Sequence, residues 1–489
     1  MLLSAVALLP FAAGLTAYLI PRDLVRRFLL VATALLHLGL CLGAAASQPE
    51  PAWAGLLDLD ALGAVFLCLE SLIFCLVSFY AVGYLRGEPH GERRDFQESV
   101  FFLNTPERVF TTCLLFFLGC MSLVAATRNL GFLWAAVEAT TLATAPLIYF
   151  HRHHRSLEAA WKYLMICSVG IALALLGNIF LSAAQPGGAA SLSLPALLSA
   201  GQTLDKTWVR LGFLFLLTGY GTKMGLAPMH AWLPDAHSES PSLVSALLSG
   251  ALLNCAFLGI LRAYQVAGAA GLADFCQPSL IVLGLTSMVF AAVFILGQGD
   301  FKRILAYSSV EHMGILALGL GLGSPALPGV MLHTVGHSLT KAMLFLLAGN
   351  ILNAYHTKSS HDVQGVAKVL PVTGVLWMLG FLAICGSPPF SLFMSELYIL
   401  KAALDTGRYL IASGFLALLL VIFVGMSTPV LRMAQGQPPP YARGKAHLDN
   451  PFSVGPALVL ACLILLLGVY VPPRLWDLLR QAAQTLGGA

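Results

Sequence analysis

Apolar residues fall in long runs, and the polar positions gather in the short gaps between them. Runs of about 20 apolar residues are long enough to cross a bilayer as helices. About fourteen runs fit, at 2–20, 25–46, 59–85, 108–127, 130–150, 159–183, 208–230, 241–266, 277–297, 302–323, 327–352, 371–401, 407–433 and 452–471. Most connections are short, apart from the charged stretch 86–107; segments 186–206 and 434–451 are Gly/Pro/Ser-rich loops, and no soluble domain fits anywhere. The first run resembles a signal peptide in length, but it lacks a basic leader and an A-x-A-like cleavage site, and further spans follow. It reads as the first transmembrane helix. The pattern predicts an all-α polytopic membrane protein.

Composition agrees. Of 489 residues, 58% are hydrophobic and 10% charged, against about 25% charged in a soluble domain. Mean hydropathy is +0.82. Soluble enzymes, disulfide scaffolds and disordered chains are excluded. A net charge of +4 is too small to imply nucleic acid as a partner; the lipid bilayer is the first partner expected. The ten cysteines are scattered with no C-x-x-C, so iron–sulfur clusters, c-type haem and zinc ribbons are not expected in this chain. About 17 Lys and Arg lie in connections after odd-numbered spans, and about 8 in the others and at the termini. By the positive-inside bias, both termini lie outside a cell membrane and the basic loops face the cytoplasm.

Two spans are interrupted. Span seven contains Gly219-Tyr220-Gly221-Thr222-Lys223-Met224-Gly225-Leu226-Ala227-Pro228, and span twelve contains Ile384-Cys385-Gly386-Ser387-Pro388-Pro389. Breaks in corresponding positions of two halves point to inverted repeats with ion sites. The halves are spans 4–8 and 9–13. The chain therefore divides into 1–107, a three-helix segment; 108–266 and 267–433, two repeats; and 434–489, a loop and the last span.

Charge at a helix centre costs roughly 2.5–3.5 kcal/mol on insertion scales and marks proton or ion paths. Glu138 lies well inside span five and Lys223 deep in span seven. Paired, each offsets the burial of the other; separated, burial disfavours both charges, so the pair forms a two-state switch. The alternative is a static ion pair. In span eleven, His333, His337 and Lys341 recur every four residues, on one helix face. At 1.5 Å per residue the stripe is about 12 Å long, and histidine exchanges protons near neutral pH. His pairs at this spacing also bind zinc, but without H-E-x-x-H or a partner cysteine no metal site is expected. Span ten adds Glu311 and His312, and span twelve Glu396. Glu70 in span three is either a relay acid or a helix-packing contact. His230, Trp232, Asp235 and His237, near the turn after span seven, either line an aqueous mouth or cap helices; Asp300, Lys302 and Arg303 mark a helix start. The run His151-Arg152-His153-His154-Arg155 faces the lipid surface or a partner subunit. There is no nucleotide-binding glycine loop in usable context, and no catalytic nucleophile constellation.

Three stretches carry a resemblance. They are Thr222 to His237 (TKMGLAPMHAWLPDAH) running into Ser240 to Leu248, then Asp300 to Ser309 (DFKRILAYSS), and His333-x-x-x-His337-Ser338-Leu339-Thr340-Lys341-Ala342. Together they resemble the Mrp-antiporter-like proton-translocating subunits of respiratory complex I and its relatives, over nearly the whole chain. Val310-Glu311-His312-Met313-Gly314 and Leu247-Leu248-Ser249-Gly250 are most similar to the component F branch. That branch belongs to the membrane arm of group 4 nickel–iron hydrogenase complexes, including formate hydrogenlyase-like assemblies.

The resemblance implies about 14 transmembrane helices with two inverted five-helix repeats and broken helices 7 and 12. It implies that Glu138 and Lys223 are the span-five and span-seven ionisables, that His333, His337 and Lys341 form the central axis, and that Glu396 is the span-twelve ionisable. Many members carry His or Lys in span eight, where this chain has Ser249; water near Ser245, Ser249 or Asn254 would continue the path, with Glu311 and His312 supplying titratable groups. The implied function is proton translocation coupled to electron transfer. Nickel–iron and iron–sulfur centres are then held only by partner hydrogenase large and small subunits, alongside other antiporter-like and small membrane subunits. A sodium/proton antiporter of Mrp type, a quinone-reducing complex I, and a structural anchor are the competing readings.

Overall fold

The computed structural model describes residues 1–88, 91–94, 101–188 and 190–487. The helices, numbered in chain order, are α1 (Leu2–Leu19), α2 (Asp23–Ser47), α3 (Ala61–Gly87), α4 (Glu107–Ala125), α5 (Leu130–Ile148) and α6 (His154–Ala183). Then come the two pieces α7a (Lys206–Met224) and α7b (Trp232–Glu239), α8 (Ser242–Ala269), α9 (Ala273–Ile295), α10 (Phe301–Leu322) and α11 (Leu327–Tyr355). The pieces α12a (Pro371–Ile384) and α12b (Ser391–Asp405), α13 (Tyr409–Ala434), α14 (Pro451–Val469) and α15 (Pro473–Gly487) complete the order. Among the described residues, twelve helices are long and apolar enough to cross a membrane. The two expected spans outside that set are the interrupted ones, seven and twelve.

Burial is graded. α8, α10 and α11 are almost wholly enclosed, whereas α1, α2, α13 and α14 expose most of their surface. Enclosed helices tolerate polar residues because neighbours supply hydrogen bonds, and lipid cannot. Small residues permit close approach between helices. A Cβ on Gly284 of α9 would lie 2.7 Å from the Gly314 carbonyl oxygen of α10, and one on Gly219 of α7a would lie 2.5 Å from the Gly170 carbonyl oxygen of α6.

Interhelix contacts sort into two ends of the bundle. At one end Arg27 binds Glu107 at 2.6 Å, Asn104 Oδ1 accepts from His151 Nδ1 at 2.8 Å, and Arg303 binds Asp235 at 2.6 Å. At the other, Arg128 binds Asp58 at 3.0 Å, Arg262 binds Asp60 through both guanidinium nitrogens at 2.6 and 2.7 Å, and Gln265 donates to the Thr485 carbonyl at 3.0 Å.

Four sequence expectations need correcting. Gly219 and Gly221 stay helical, and the break in span seven begins only at Gly225, whose φ of +85° suits a residue without Cβ. The stretch 86–107, expected as a charged connection, contains a short antiparallel ribbon of Glu92–Arg94 against Phe101–Leu103, while the fold stays all-α. Segment 186–206 contains a six-residue helix, Leu194–Ser199. After the last span the chain forms α15, which buries Leu479, Ala482, Ala483 and Leu486 against the bundle. Its polar face hid it from a search for apolar runs.

Candidate functional site: a buried polar axis

Each helix break frees carbonyl groups, and side chains take them up. Gly225 ends α7a just after Lys223. The Trp232 indole donates to the freed Thr222 carbonyl at 2.8 Å, and the Ala227 amide donates to Ser287 of α9 at 2.9 Å. Lys223 therefore sits in the last turn of a helix, where the backbone dipole favours a cation. It is fully buried. Its ammonium donates to the Thr141 hydroxyl of α5 and to the Tyr163 hydroxyl of α6 at 2.9 Å.

The expected direct Glu138–Lys223 ion pair is absent. Thr141 stands between the two, donating to Glu138 at 3.2 Å while accepting from Lys223. Glu138 also accepts from Ser168 at 2.8 Å and is half-buried rather than enclosed. A three-residue offset within α5 brings Thr141 and Glu138 onto one helix face.

In the second half, His312, His333, His337 and Lys341 are all fully buried. His333 and His337 do share a face, but the bonded connections run through His312 of α10. His312 Nδ1 lies 3.0 Å from His333 Nε2, and its ring centre is 5.2 Å from that of His337. His312 Nε2 faces the Ile384 carbonyl, freed at the break of α12, at 3.1 Å. His333 Nδ1 lies 2.9 Å from the Ser395 hydroxyl, which also reaches the Leu392 carbonyl at 2.8 Å. Lys341 donates to the Leu305 carbonyl and the Ser308 hydroxyl, each at 2.6 Å.

Counting protons along this row yields a switch. A carbonyl only accepts, so His312 Nε2 must carry hydrogen. If both rings are neutral, His312 Nδ1 accepts from His333 Nε2, and Ser395 donates to His333 Nδ1. If Ser395 instead donates to Leu392, His333 Nδ1 must donate to the hydroxyl, and the two facing ring nitrogens need one extra proton between them. Adding one proton to the pair thus rotates one serine hydroxyl.

Glu396 projects from α12b into the break. Gly386 there has φ +61°, and a Cβ on it would lie 2.0 Å from Glu396 Oε2. Gly386→Ala is therefore expected to displace the carboxyl group and to strain the backbone by about 1–3 kcal/mol. The thermal stability of the chain should fall by a comparable amount, and an unchanged melting temperature would show that Glu396 moves aside without cost. Ligand atoms of His312, His333 and Glu396 lie within 4.8 Å of one another, a grouping able to hold a metal that the expectation of no metal site had not foreseen. The histidine nitrogens are however turned toward each other and toward Ile384 and Ser395, as in a hydrogen-bonded row. Glu311 is buried beside this row without a hydrogen bond among the described residues.

The expected mouth residues are placed differently. His237 is fully buried, stacked on Phe345 at 4.9 Å, and His230 is buried among Phe290, Phe294 and Tyr307. Neither faces an opening. Asp235 is half-buried between Lys162 at 2.9 Å and Arg303 at 2.6 Å. The basic run His151–Arg155 turns partly inward: His153 caps α6 by accepting from the Ser156 amide at 3.2 Å. An open cavity is lined instead by Tyr84, His153, Glu239, Lys302, Asn350 and Lys358, among others. Lys302 is buried at its wall and donates to the Ser240 carbonyl at 2.6 Å. Leu305, which holds Lys341, lies three residues on, about 4.5 Å along α10. Sequence reading missed Thr141, Tyr163, Ser308 and Ser395. Hydroxyl residues are common in membrane helices, and only the distances single these out.

The family model "NADH:quinone oxidoreductase/Mrp antiporter, TM" matches residues 127–422. The chain is 36% identical over 425 residues to a hydrogenase-4 component F homolog of Methylacidiphilum infernorum, covering 85% of each chain. It is 30% identical over 437 residues to NADH-quinone oxidoreductase subunit N of Desulforudis audaxviator, covering 86% of this chain and 83% of that one. Its fold resembles a chain of the Mrp complex from Dietzia, with TM-score 0.83 at 21% identity, covering 99% of this chain and 98% of that one. It also resembles a chain of respiratory complex I from Thermus thermophilus, with TM-score 0.81 at 24% identity over the full length of both. With fourteen expected spans, two of them broken, and a buried row of lysine and histidine through the matched region, the chain belongs to the antiporter-like transmembrane subunit family of NADH:quinone oxidoreductases and Mrp antiporters.

Proposed function

We propose that the chain is a proton-translocating subunit of a multisubunit redox complex of the group 4 hydrogenase type, coupling electron transfer in partner subunits to proton movement. One observation carries the reading: in each half a set of titratable side chains, most of them buried and several joined by hydrogen bonds, meets a helix break. Glu138, Thr141 and Lys223 form the first. Lys341, His337, His312, His333 and Glu396 form the second. The similarity to a hydrogenase-4 component F homolog favours the hydrogenase type, with nickel–iron and iron–sulfur centres in partner large and small subunits. In this reading the chain crosses a cell membrane fourteen times, the broken helices counted once each; the excess of Lys and Arg after odd-numbered spans supports both termini outside and the Glu239–Lys302 cavity toward the cytoplasm. The segments 1–107, 108–266, 267–433 and 434–489 are the natural units, the middle two being inverted repeats.

In this reading Lys223 alternates between an ammonium bonded to Thr141 and Tyr163 and a neutral amine. Glu138, reached through one hydroxyl, sets the balance. A proton entering from the cavity reaches Lys341 and passes to the histidine row, where each arrival turns the Ser395 hydroxyl; Glu396 receives it at the break.

The test is proton uptake by sealed inverted vesicles holding the intact complex, driven by its electron donor. Uptake should persist when sodium is replaced by choline and collapse with a protonophore. Dependence on sodium would instead select the Mrp-type sodium/proton antiporter.

A further inference from the structure

The two polar sets are separated by α8, whose Ser249 hydroxyl is not a titratable group near neutral pH. That serine is turned away from the first half and shares a hydrogen bond of 2.8 Å with Ser309 of α10. α8 is itself irregular: Leu248–Leu252 forms a π-helical turn. Such a turn adds a residue and rotates every later side chain, and is frequent at functional sites.

What the rotation presents is a buried acid–thiol contact. Cys255 of α8 donates to Glu70 Oε1 of α3 at 3.2 Å. Both are buried, Glu70 to 2% exposure. Glu70 Oε2 has no hydrogen-bond partner among the described residues. An isolated carboxylate in such surroundings is costly. On one side the contact meets the first set. Gly259 of α8 packs against the Tyr220 ring of α7a, and one turn along each antiparallel helix brings Cys255 to the level of Lys223. On the other side it meets the second set. Asn254, next to Cys255, donates to Ser338 of α11 at 2.6 Å, and Ser338 follows His337 in the chain. Asn254 Oδ1 and both His337 ring nitrogens are likewise buried without partners. Unsatisfied buried polar groups are uncommon and call for an explanation. Here four such atoms, on Glu70, Asn254 and His337, lie on and beside α8.

We propose that Glu70, oriented by the Cys255 thiol, is the proton-holding station between the two halves, in the role that Ser249 cannot fill. This rests on the proton-translocating reading above. The Lys223 ammonium releases a proton, becoming an amine, and the Glu70 carboxylate takes it, becoming a carboxylic acid. The acid then returns it toward a His337 ring nitrogen, which becomes an imidazolium. Cys255 keeps its own proton throughout and acts as a positioning residue.

The experiment uses the intact complex in vesicles. Glu70→Gln, nearly isosteric, should reduce donor-driven proton uptake at least about tenfold, and Glu70→Asp should retain part of it. Cys255→Ala should shift the pH profile of uptake while sparing its maximum. In difference infrared spectra, a carboxylic C=O band should vanish in Glu70→Gln and move in Cys255→Ala. Wild-type uptake in Glu70→Gln, with Lys223→Ala inactive, would overturn the proposal and leave the translocation reading standing. Uptake unaffected in both would overturn that reading itself. If Glu70→Gln does not assemble, the infrared band of the unaltered chain decides: no carboxylic band sensitive to Cys255→Ala overturns the proposal.

Discussion

Replacing Lys223 by alanine is expected to abolish donor-driven proton uptake while the complex still assembles. The ammonium donates to both the Thr141 hydroxyl of α5 and the Tyr163 hydroxyl of α6. Assembly should survive because removing a buried lysine also removes its burial cost, and the two hydroxyls left behind keep partners: Thr141 reaches Glu138 and Tyr163 reaches Thr144 at 2.7 Å. The decisive comparison is Lys223→Arg. Guanidinium holds its proton at all accessible pH values, so charge and hydrogen bonds remain while release is lost. Both variants should fall more than about tenfold below wild type, which is more than about 1.4 kcal/mol in the limiting barrier. Full uptake in Lys223→Arg would show that the lysine acts as a fixed charge, and the alternation proposed for it would be wrong.

The second large effect concerns stability. Asp60 caps α3, accepting from the Gly63 amide at 2.8 Å, and binds Arg262 of α8 through two short parallel bonds. Arg262 is 1% exposed. Asp60→Ala leaves that guanidinium buried without its counter-charge. Breaking one partner of a buried pair costs about 3–5 kcal/mol, and the lost cap adds about 0.5–2 kcal/mol. The complex should lose its membrane arm at a markedly lower temperature, measured by size-exclusion chromatography after stepwise heating. Asp60→Asn keeps the cap and separates the two contributions. A change below about 1 kcal/mol in both variants would mean that water reaches Arg262.

Much of this molecule was legible along the chain. The apolar runs marked the twelve long helices because the bilayer leaves no other way to satisfy a spanning backbone. The glycine–proline clusters marked both breaks, although Gly219 and Gly221 proved to serve packing with α6. Glu138, Lys223, His312, His333, His337, Lys341 and Glu396 stood out for a thermodynamic reason: charge in an apolar run is costly, so it is rarely placed there without use. Other features were not legible. His230 and His237 looked like mouth residues by their position near a turn, yet aromatic rings enclose them. The amphipathic α15 has too many polar residues to register as a span.

The sequence by itself therefore determined the membrane architecture, the family and the identity of the titratable groups, because these depend on length, hydropathy and residue type. Only the tertiary structure decided how those groups connect: that Thr141 separates Glu138 from Lys223, that His312 joins the span-eleven row, and that Glu70 meets Cys255 across α3 and α8. Hydrogen bonds act over about 3 Å between helices tens to hundreds of residues apart in the chain, and no local pattern encodes such a distance.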